Sequence, residues 1–168
     1  MVPGLEHPRL LPVAAREVAP AVELRLLDQR LRANPPQYAS AGAAGIDLRA
    51  CIDAPVTIEP GCTEMIGSGI AIHIGTPDLF AVVAPRSGLG VKHGLVLANL
   101  VGIIDSDYTG EIKLGAWNRS KTPFTVEPLM RICQLLILPV VRPELKIVDQ
   151  FSRASQRSGA GFGSTGLT

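Results

Sequence analysis

Apolar residues fall in short runs along this chain, separated by glycine, proline and small polar residues. The clearest pattern is GIAIHIG, beginning at Gly69. Ile70, Ile72 and Ile74 alternate there with Ala71 and His73, which predicts a strand with one isoleucine face. The runs IDLRA, VTIEP, FAVVAP, GLVLANLVGII, EIKLGAWN and FTVEP predict further strands, and VELRLLD, from Val22, predicts the first. Only Leu26 to Leu31 offers a competing helical pattern. The run RICQLLILPVV, Arg131 to Val141, is apolar almost throughout. A strand with no polar face is expected to be buried on both sides. Its second cover is either the interior of a sandwich or another subunit. Residues 1–20 read as a loose, proline-marked arm, residues 21–150 as a β domain, and residues 151–168, rich in Gly, Ser and Thr, as a flexible arm.

Composition sharpens this picture. The 168 residues suit one domain, and 46% hydrophobic against 18% charged residues excludes a disordered chain. Aromatics make up only 4%, so the core must be built from Val, Ile, Leu and Ala. With a net charge of +1 and no basic block, a nucleic-acid partner is not expected, whereas a phosphate-bearing small ligand needs only a few placed cations. Cys51, Cys62 and Cys133 are odd in number and form no C-x-x-C pair, which argues against a disulfide framework or zinc site and for a reducing, cytoplasmic setting. In that setting the sequon Asn118-Arg119-Ser120 carries no weight. The first twenty residues hold no apolar signal core, and no run is long enough to span a membrane.

Five segments carry candidate chemistry. In AGAAGIDLRA, from Ala41, Asp47 stands between apolar residues on a strand and either caps its own turn or serves a ligand. In PRSGLG, from Pro85, Gly88 and Gly90 would let backbone N–H groups converge into a phosphate-binding nest. Arg86 adds a bidentate fork and Ser87 a hydroxyl, though an ordinary tight turn fits as well. In LANLVGIIDSDYTGEI, from Leu97, the amide of Asn99 lies among apolar neighbours and could read a donor and an acceptor together. Asp105 and Asp107, two apart on a strand, would share a face, and like charges so close suggest a base or a cation site. Tyr108-Thr109-Gly110 reads as a hairpin turn, and a solvated acidic hairpin is the plain alternative. In RICQ, Gln134 sits among leucines and needs a partner, whether a ligand or the core backbone. In RSGAGFGSTG, from Arg157, the literal G-x-G-x-x-G has no strand before it and no helix after it, which excludes a dinucleotide loop. Phe162, alone in a polar tail, could close over a flat ring while Arg157 meets phosphate, or the tail is simply disordered.

In order and spacing these segments resemble the five motifs of the trimeric dUTPase family, and HGLVLANLVG and AWNRS match its connecting stretches. The resemblance runs from about Ala21 to Gly166. It implies an all-β, jelly-roll-like sandwich or barrel assembled as a homotrimer, with active sites drawing on all three subunits. It implies hydrolysis of dUTP to dUMP and pyrophosphate by Mg²⁺-assisted attack of water on the α-phosphate. That reaction limits uracil incorporation into DNA and supplies dUMP for dTTP synthesis. By the same resemblance, Asp105 orients and deprotonates the attacking water. Asn99, with the backbone of Ile103, Ile104 and Lys113, reads the uracil edge. Tyr108 lies under the deoxyribose and excludes a 2′-hydroxyl. Arg86, Ser87 and Gly88 hold phosphates, and Gln134 and Asp47 act through water on the metal or phosphate chain. Arg157 and Phe162 belong to a closing tail, with Phe162 stacking on uracil.

Two departures from the family pattern stand out. Leu129 and Met130 occupy positions where the family usually has Gly and an acidic residue, which bears on a subunit salt bridge there. Ser158 and Ala160 replace glycines and would stiffen the tail. The competing readings are a dCTP deaminase on the same fold, a catalytically idle nucleotide-binding regulator and a plain jelly-roll binding module. Asn99 and Tyr108 weigh against the first, the complete set of catalytic-type residues against the second, and the phosphate-type loop and tail against the third.

Overall fold

The computed structural model describes residues 21–152, so the expectations for residues 1–20 and for the tail, Arg157 and Phe162 included, lie outside the described residues. Ten strands follow one another: β1 (Glu23–Leu26), β2 (Ile46–Arg49), β3 (Val56–Ile58), β4 (Thr63–His73), β5 (Leu79–Pro85), β6 (Leu95–Leu97), β7 (Gly102–Ile104), β8 (Glu111–Asn118), β9 (Phe124–Val126) and β10 (Arg131–Pro139). One short helix, α1 (Ser87–Lys92), interrupts them. The strands build two four-stranded sheets, β1-β4-β8-β6 and β2-β10-β5-β7, and a small β3-β9 ladder. The all-β sandwich expected from the sequence is the fold found. No helix among the described residues is long and apolar enough to cross a membrane.

The core lies between the two sheets, and the predicted alternation builds much of it. Ile70, Ile72 and Ile74 are all buried. Ala71, expected on the other face, is buried too, so of the pair Ala71 and His73 only His73 turns to solvent, its Nδ1 2.8 Å from Glu23 Oε2. Leu48, Ala81, Val83, Leu114 and Leu135 are among the residues that join them. At Gly45 an added Cβ would lie 2.9 Å from Leu135 O, so only glycine lets the chain enter β2 this close to β10.

Three sequence expectations are revised. The run GLVLANLVGII is two strands in different sheets, β6 and β7, joined by a tight turn at which Leu100 has φ +63°. The helical pattern at Leu26 to Leu31 becomes a 3-10 turn, Gln29–Ala33, capped by Asp28, whose carboxylate accepts from Arg30 N at 2.9 Å. Strand β10 is covered on both sides only near its start. A register irregularity after Arg131 buries both Ile132 and Cys133. Beyond it Cys133 and Leu135 face the core, while Gln134 and Leu136 are half-buried and Leu138 is exposed. A single chain therefore leaves an apolar strip of this sheet uncovered.

Leu129 sits in a turn with a glycine-like shape. Met130 N–H donates to Glu127 O at 3.1 Å, Pro128 takes the second position, and Leu129 has φ +61°. This is the type II pattern, whose third position favours glycine. Leu129 holds it through its N–H, 2.7 Å from Ala50 O, and through its carbonyl, 3.0 Å from Arg49 Nη1.

The sequon asparagine is an internal staple. Asn118 is fully buried, its Nδ2 donates to Ile58 O and Thr122 O, both at 2.8 Å, and its Oδ1 accepts from Ser120 N at 2.9 Å. Asn118→Ala removes the amide partner of Ile58 O in the interior and of the part-buried Ser120 N–H, while Thr122 O keeps only its bond from Ser120 Oγ at 2.9 Å. It should lower the unfolding free energy by about 2–4 kcal/mol in urea denaturation. An unchanged midpoint would show that water replaces the amide.

The three thiols are free, and they differ in reactivity. Burial, reinforced by the nearby Asp28 charge, pushes the Cys51 thiol up to about 11, and burial alone pushes Cys133 up to about 12. Cys62 is exposed on the turn before β4. A thiol reagent at about pH 8 should label Cys62 alone in the native protein and all three cysteines after unfolding. Fast labelling of Cys133 in the native state would contradict the core described here.

Candidate active site

The predicted residues gather in two places, one on the second sheet and one where β7 of that sheet meets β4 and β8 of the first. At one end, β2, β10 and β5 run side by side. Gln134 lies opposite Asp47 on one flank and Ala84 on the other, so Asp47 and Gln134 share the outward face. Asp47 does not cap its own turn. Its Oδ1 lies 3.1 Å from Arg86 Nε and its Oδ2 3.0 Å from Arg131 Nη1. Arg86 also donates through Nη1 to Arg131 O at 3.1 Å. Arg49 joins Asp47 and Arg131 around a small polar recess of about 130 Å³ with Pro35, Pro36 and Gln37. One carboxylate among three guanidiniums leaves a positive excess, as an anion site requires. Gln134 makes no side-chain hydrogen bond among the described residues and is half-exposed, so the expected partner is not supplied by the core.

The expected nest is a helix start instead. Gly88 and Gly90 lie within α1, and neither has a positive φ. Arg86 is the capping residue, and Gly90 N–H closes the first turn on Arg86 O at 2.9 Å. The N–H groups of the residues before Gly90 are consequently left for other acceptors. A Cβ added at Gly88 would meet nothing within 4 Å, so this backbone is open to a close approach.

The second place is an open recess of about 380 Å³ between the sheets. Met65, Ile103, Ile104, Asp105, Tyr108, Glu111, Ile112 and Lys113 line it. The structure thus joins five of the predicted residues: Ile103, Ile104, Asp105, Tyr108 and Lys113. The segment between β7 and β8 is a crossover rather than a hairpin, because its flanking strands belong to different sheets. Asp105 and Asp107 lie in a turn past the end of β7, so the strand argument for a shared face does not apply. Both are exposed. Tyr108 N–H donates to Asp105 O at 3.1 Å, and Tyr108 Oη donates to Glu111 O at 2.9 Å. Asn99 is also exposed rather than enclosed by apolar neighbours. Its backbone oxygen accepts from Val101 N–H at 2.7 Å across Leu100, forming a γ-turn with a strained central residue. A Cβ at Gly102 would lie 3.6 Å from Asn99 Nδ2, so the amide hangs beside the entry to β7.

These two places are far apart on one chain. Ile104 lies opposite Ala81, five residues from Arg86, and Asp105 lies one step further. That is roughly 20 Å along the strand. Arg86 moreover turns towards Asp47 on β2, on the opposite flank of β5 from β7. Between the two places the outward face carries Leu136, Val82 and Ile103 in one row across three strands. Sequence reasoning did not single out Arg49, Arg131 or Glu111. Arg131 stood inside a quoted motif, and its signal was the cation before a run otherwise apolar.

Comparison with known proteins gives one consistent result. The profile of the dUTPase family matches residues 32–166. Proteins named deoxyuridine 5′-triphosphate nucleotidohydrolase from Azoarcus sp. (strain BH72) and Ralstonia pickettii (strain 12J) are 56% and 54% identical over 145 residues, 86% of this chain and 97% of theirs. Among solved structures, the dUTPase of Staphylococcus bacteriophage 80alpha with dUpNHpp is 26% identical with a TM-score of 0.73, covering 88% of this chain and 99% of that one. A mutant dUTPase from phage phi11 of S. aureus, whose structure describes coordination of a structural Mg(II) ion, is 23% identical with a TM-score of 0.69, covering 79% of this chain and 99% of that one.

Proposed function

The chain belongs to the dUTPase family, and we infer that it is a dUTP diphosphatase: it hydrolyses dUTP to dUMP and pyrophosphate, limiting uracil incorporation into DNA and supplying dUMP for dTTP synthesis. The observation that carries the site assignment is the recess shared by Ile103, Ile104, Asp105, Tyr108 and Lys113. It offers backbone edges, a carboxylate and an aromatic ring within one opening the size of a nucleoside. Asn99 and the backbone of Ile103, Ile104 and Lys113 read the uracil edge. A pocket built on paired donors and acceptors rejects cytosine, because reversed polarity leaves buried groups unpaired. Tyr108 excludes a ribose 2′-hydroxyl. Asp105, exposed on its turn, accepts a proton from water attacking the α-phosphorus. Arg86, Ser87 and Gly88 hold phosphates, and Arg157 and Phe162, outside the described residues, are assigned to the closing tail on motif resemblance alone.

The residues present suit Mg²⁺. Asp47 and Gln134 offer hard oxygen atoms side by side. The Asp47 oxygens already face two arginines, which favours contact through water over direct ligation. No group of three or more His, Cys, Asp or Glu side chains placed to hold a metal occurs among the described residues. When bound, Mg²⁺ neutralises charge on the phosphates and stabilises the departing pyrophosphate. The chain's own part is positional. Asp47 aims the Arg86 fork, and the first turn of α1 presents N–H groups to phosphate oxygens.

Self-association as a homotrimer with shared active sites belongs to the same reading. Two features support it. The arginine cluster and the recess lie too far apart to serve one triphosphate comfortably from a single chain. Apolar surface also stands open on the outer face of β10 and in the segment after it, where Val141, Leu145, Ile147 and Phe151 are each more than 85% exposed. A cytoplasmic, reducing setting is part of the reading as well, and the three free thiols support it.

Pyrophosphate release should be much faster from dUTP than from dTTP, dCTP or UTP, and should depend on Mg²⁺. Equal turnover of dCTP and dUTP would sink the assignment. Asp105→Asn should keep nucleotide binding and lose roughly 10²–10⁴-fold in kcat. If Asp107→Asn showed that loss instead, the other carboxylate is the base. Light scattering should find a species three times the 17.8 kDa chain mass. A stable, fully active monomer would overturn the shared-site arrangement.

A further inference from the structure

The β4–β8 ladder carries a defect beside the recess. Lys113 lies opposite Gly67, but Glu111 lies opposite Ala71, so β4 advances four residues while β8 advances two. The extra residues bulge, and Gly69 within them takes φ +66°. Its N–H no longer has a β8 carbonyl across from it. The Glu111 carboxylate takes that place, with Oε1 3.1 Å from Gly69 N. Gly67 leaves the room for it, because a Cβ there would sit 2.7 Å from the same oxygen.

The backbone of Glu111 faces the recess. Its carbonyl accepts from Tyr108 Oη at 2.9 Å. The Tyr108 ring lies across Gly110, where a Cβ would meet Oη at 2.6 Å. Tyr108 N–H then reaches Asp105 O at 3.1 Å. A continuous path of hydrogen bonds therefore runs from the β4 bulge through Glu111 to the ring of Tyr108 and to the turn bearing Asp105. The crossover between β7 and β8 has no ladder of its own, so this path is what ties its far end to a sheet.

We propose that Glu111 is a positioning residue for the active site. Its carboxylate, clamped in the β4 bulge, sets the height of the first β8 carbonyl, which fixes the Tyr108 ring and with it the discrimination between deoxyribose and ribose. The proposal rests on the dUTP reading above. Ribose and deoxyribose differ by one oxygen, so exclusion by a ring tolerates little displacement, and an ångström of drift opens the space for a hydroxyl.

The test compares full-length wild type, Glu111→Ala, Glu111→Gln and Gly67→Ala on dUTP and UTP with Mg²⁺, with thermal melting and mass alongside. Glu111→Ala should lower the dUTP-to-UTP ratio of kcat/KM by roughly 10- to 100-fold, the scale of a small misplacement in a reacting site. Glu111→Gln keeps an oxygen that accepts from Gly69 N–H and should preserve most of the ratio. Gly67→Ala pushes the carboxylate out of the bulge while every residue of β8 stays unchanged, and should move the ratio in the same direction as Glu111→Ala. It decides the matter where Glu111→Ala does not fold. An unchanged ratio in the folded variants overturns the proposal. So does an equal loss in Glu111→Gln, or a fall in kcat on both nucleotides with the ratio intact. A wild type inert on dUTP overturns the functional reading and this proposal with it, whereas an active wild type with indifferent variants overturns the proposal alone.

Discussion

The register of β5 between β10 and β7 is the constraint on which the surface chemistry depends. Val83 and Ala81 point inward from β5, and Val82 and Ala84 point outward. A slip of one residue would exchange these sets and expose the core, so the register is held by the whole inner face. It follows that the residue after β5, Arg86, and the residues at the end of β7 are held at opposite ends of one rigid strand. The arginine cluster and the recess cannot drift together. The strip between them, with Leu136, Val82 and Ile103, is apolar where a solvated sheet face would be polar. Both facts make better sense of an assembly than of a solitary chain.

Within each place, a carboxylate holds the groups around it in position. Asp47 receives two arginines, one on each oxygen. This orients the guanidiniums while leaving their combined charge in excess, since a single carboxylate offsets only one of them. The entropy of ordering these long side chains is met within the chain itself. Around the recess, Glu111 does comparable work through a backbone carbonyl.

Strained backbone collects near these same elements. Leu100 and Leu129 both adopt the left-handed region that favours glycine. Leu100 follows Asn99 and turns the chain from one sheet into the other. Leu129 immediately precedes Met130 and the arginine that pairs with Asp47, and its turn is held by Ala50 and Arg49 on the neighbouring strand. The family position usually filled by glycine is thus kept in a glycine-like shape by hydrogen bonds from β2, which explains how the substitution is accommodated without loss of the Arg131 register.

The strands were legible in the chain because their signal is local. Period-two alternation at Ile70, Ile72 and Ile74 and the runs bounded by Gly and Pro name the elements whatever surrounds them. The order and spacing of five motifs named the family. What the chain could not reveal were relations between distant segments. That GLVLANLVGII breaks into two sheets depends on which neighbours capture each half. That Asp47 takes Arg86 and Arg131, rather than its own turn, depends on β10 lying beside β2. That Gly88 and Gly90 begin a helix, and that Asp105 and Asp107 leave the strand, depends on where the chain must turn to rejoin a sheet. Glu111 shows the difference most plainly. In sequence it is a charged residue at a strand start, and only the two-residue bulge of β4, where Gly69 lies 42 residues earlier, gives its carboxylate a partner. Local periodicity is written in one strand at a time, whereas a hydrogen bond between strands exists only once both have been folded into register.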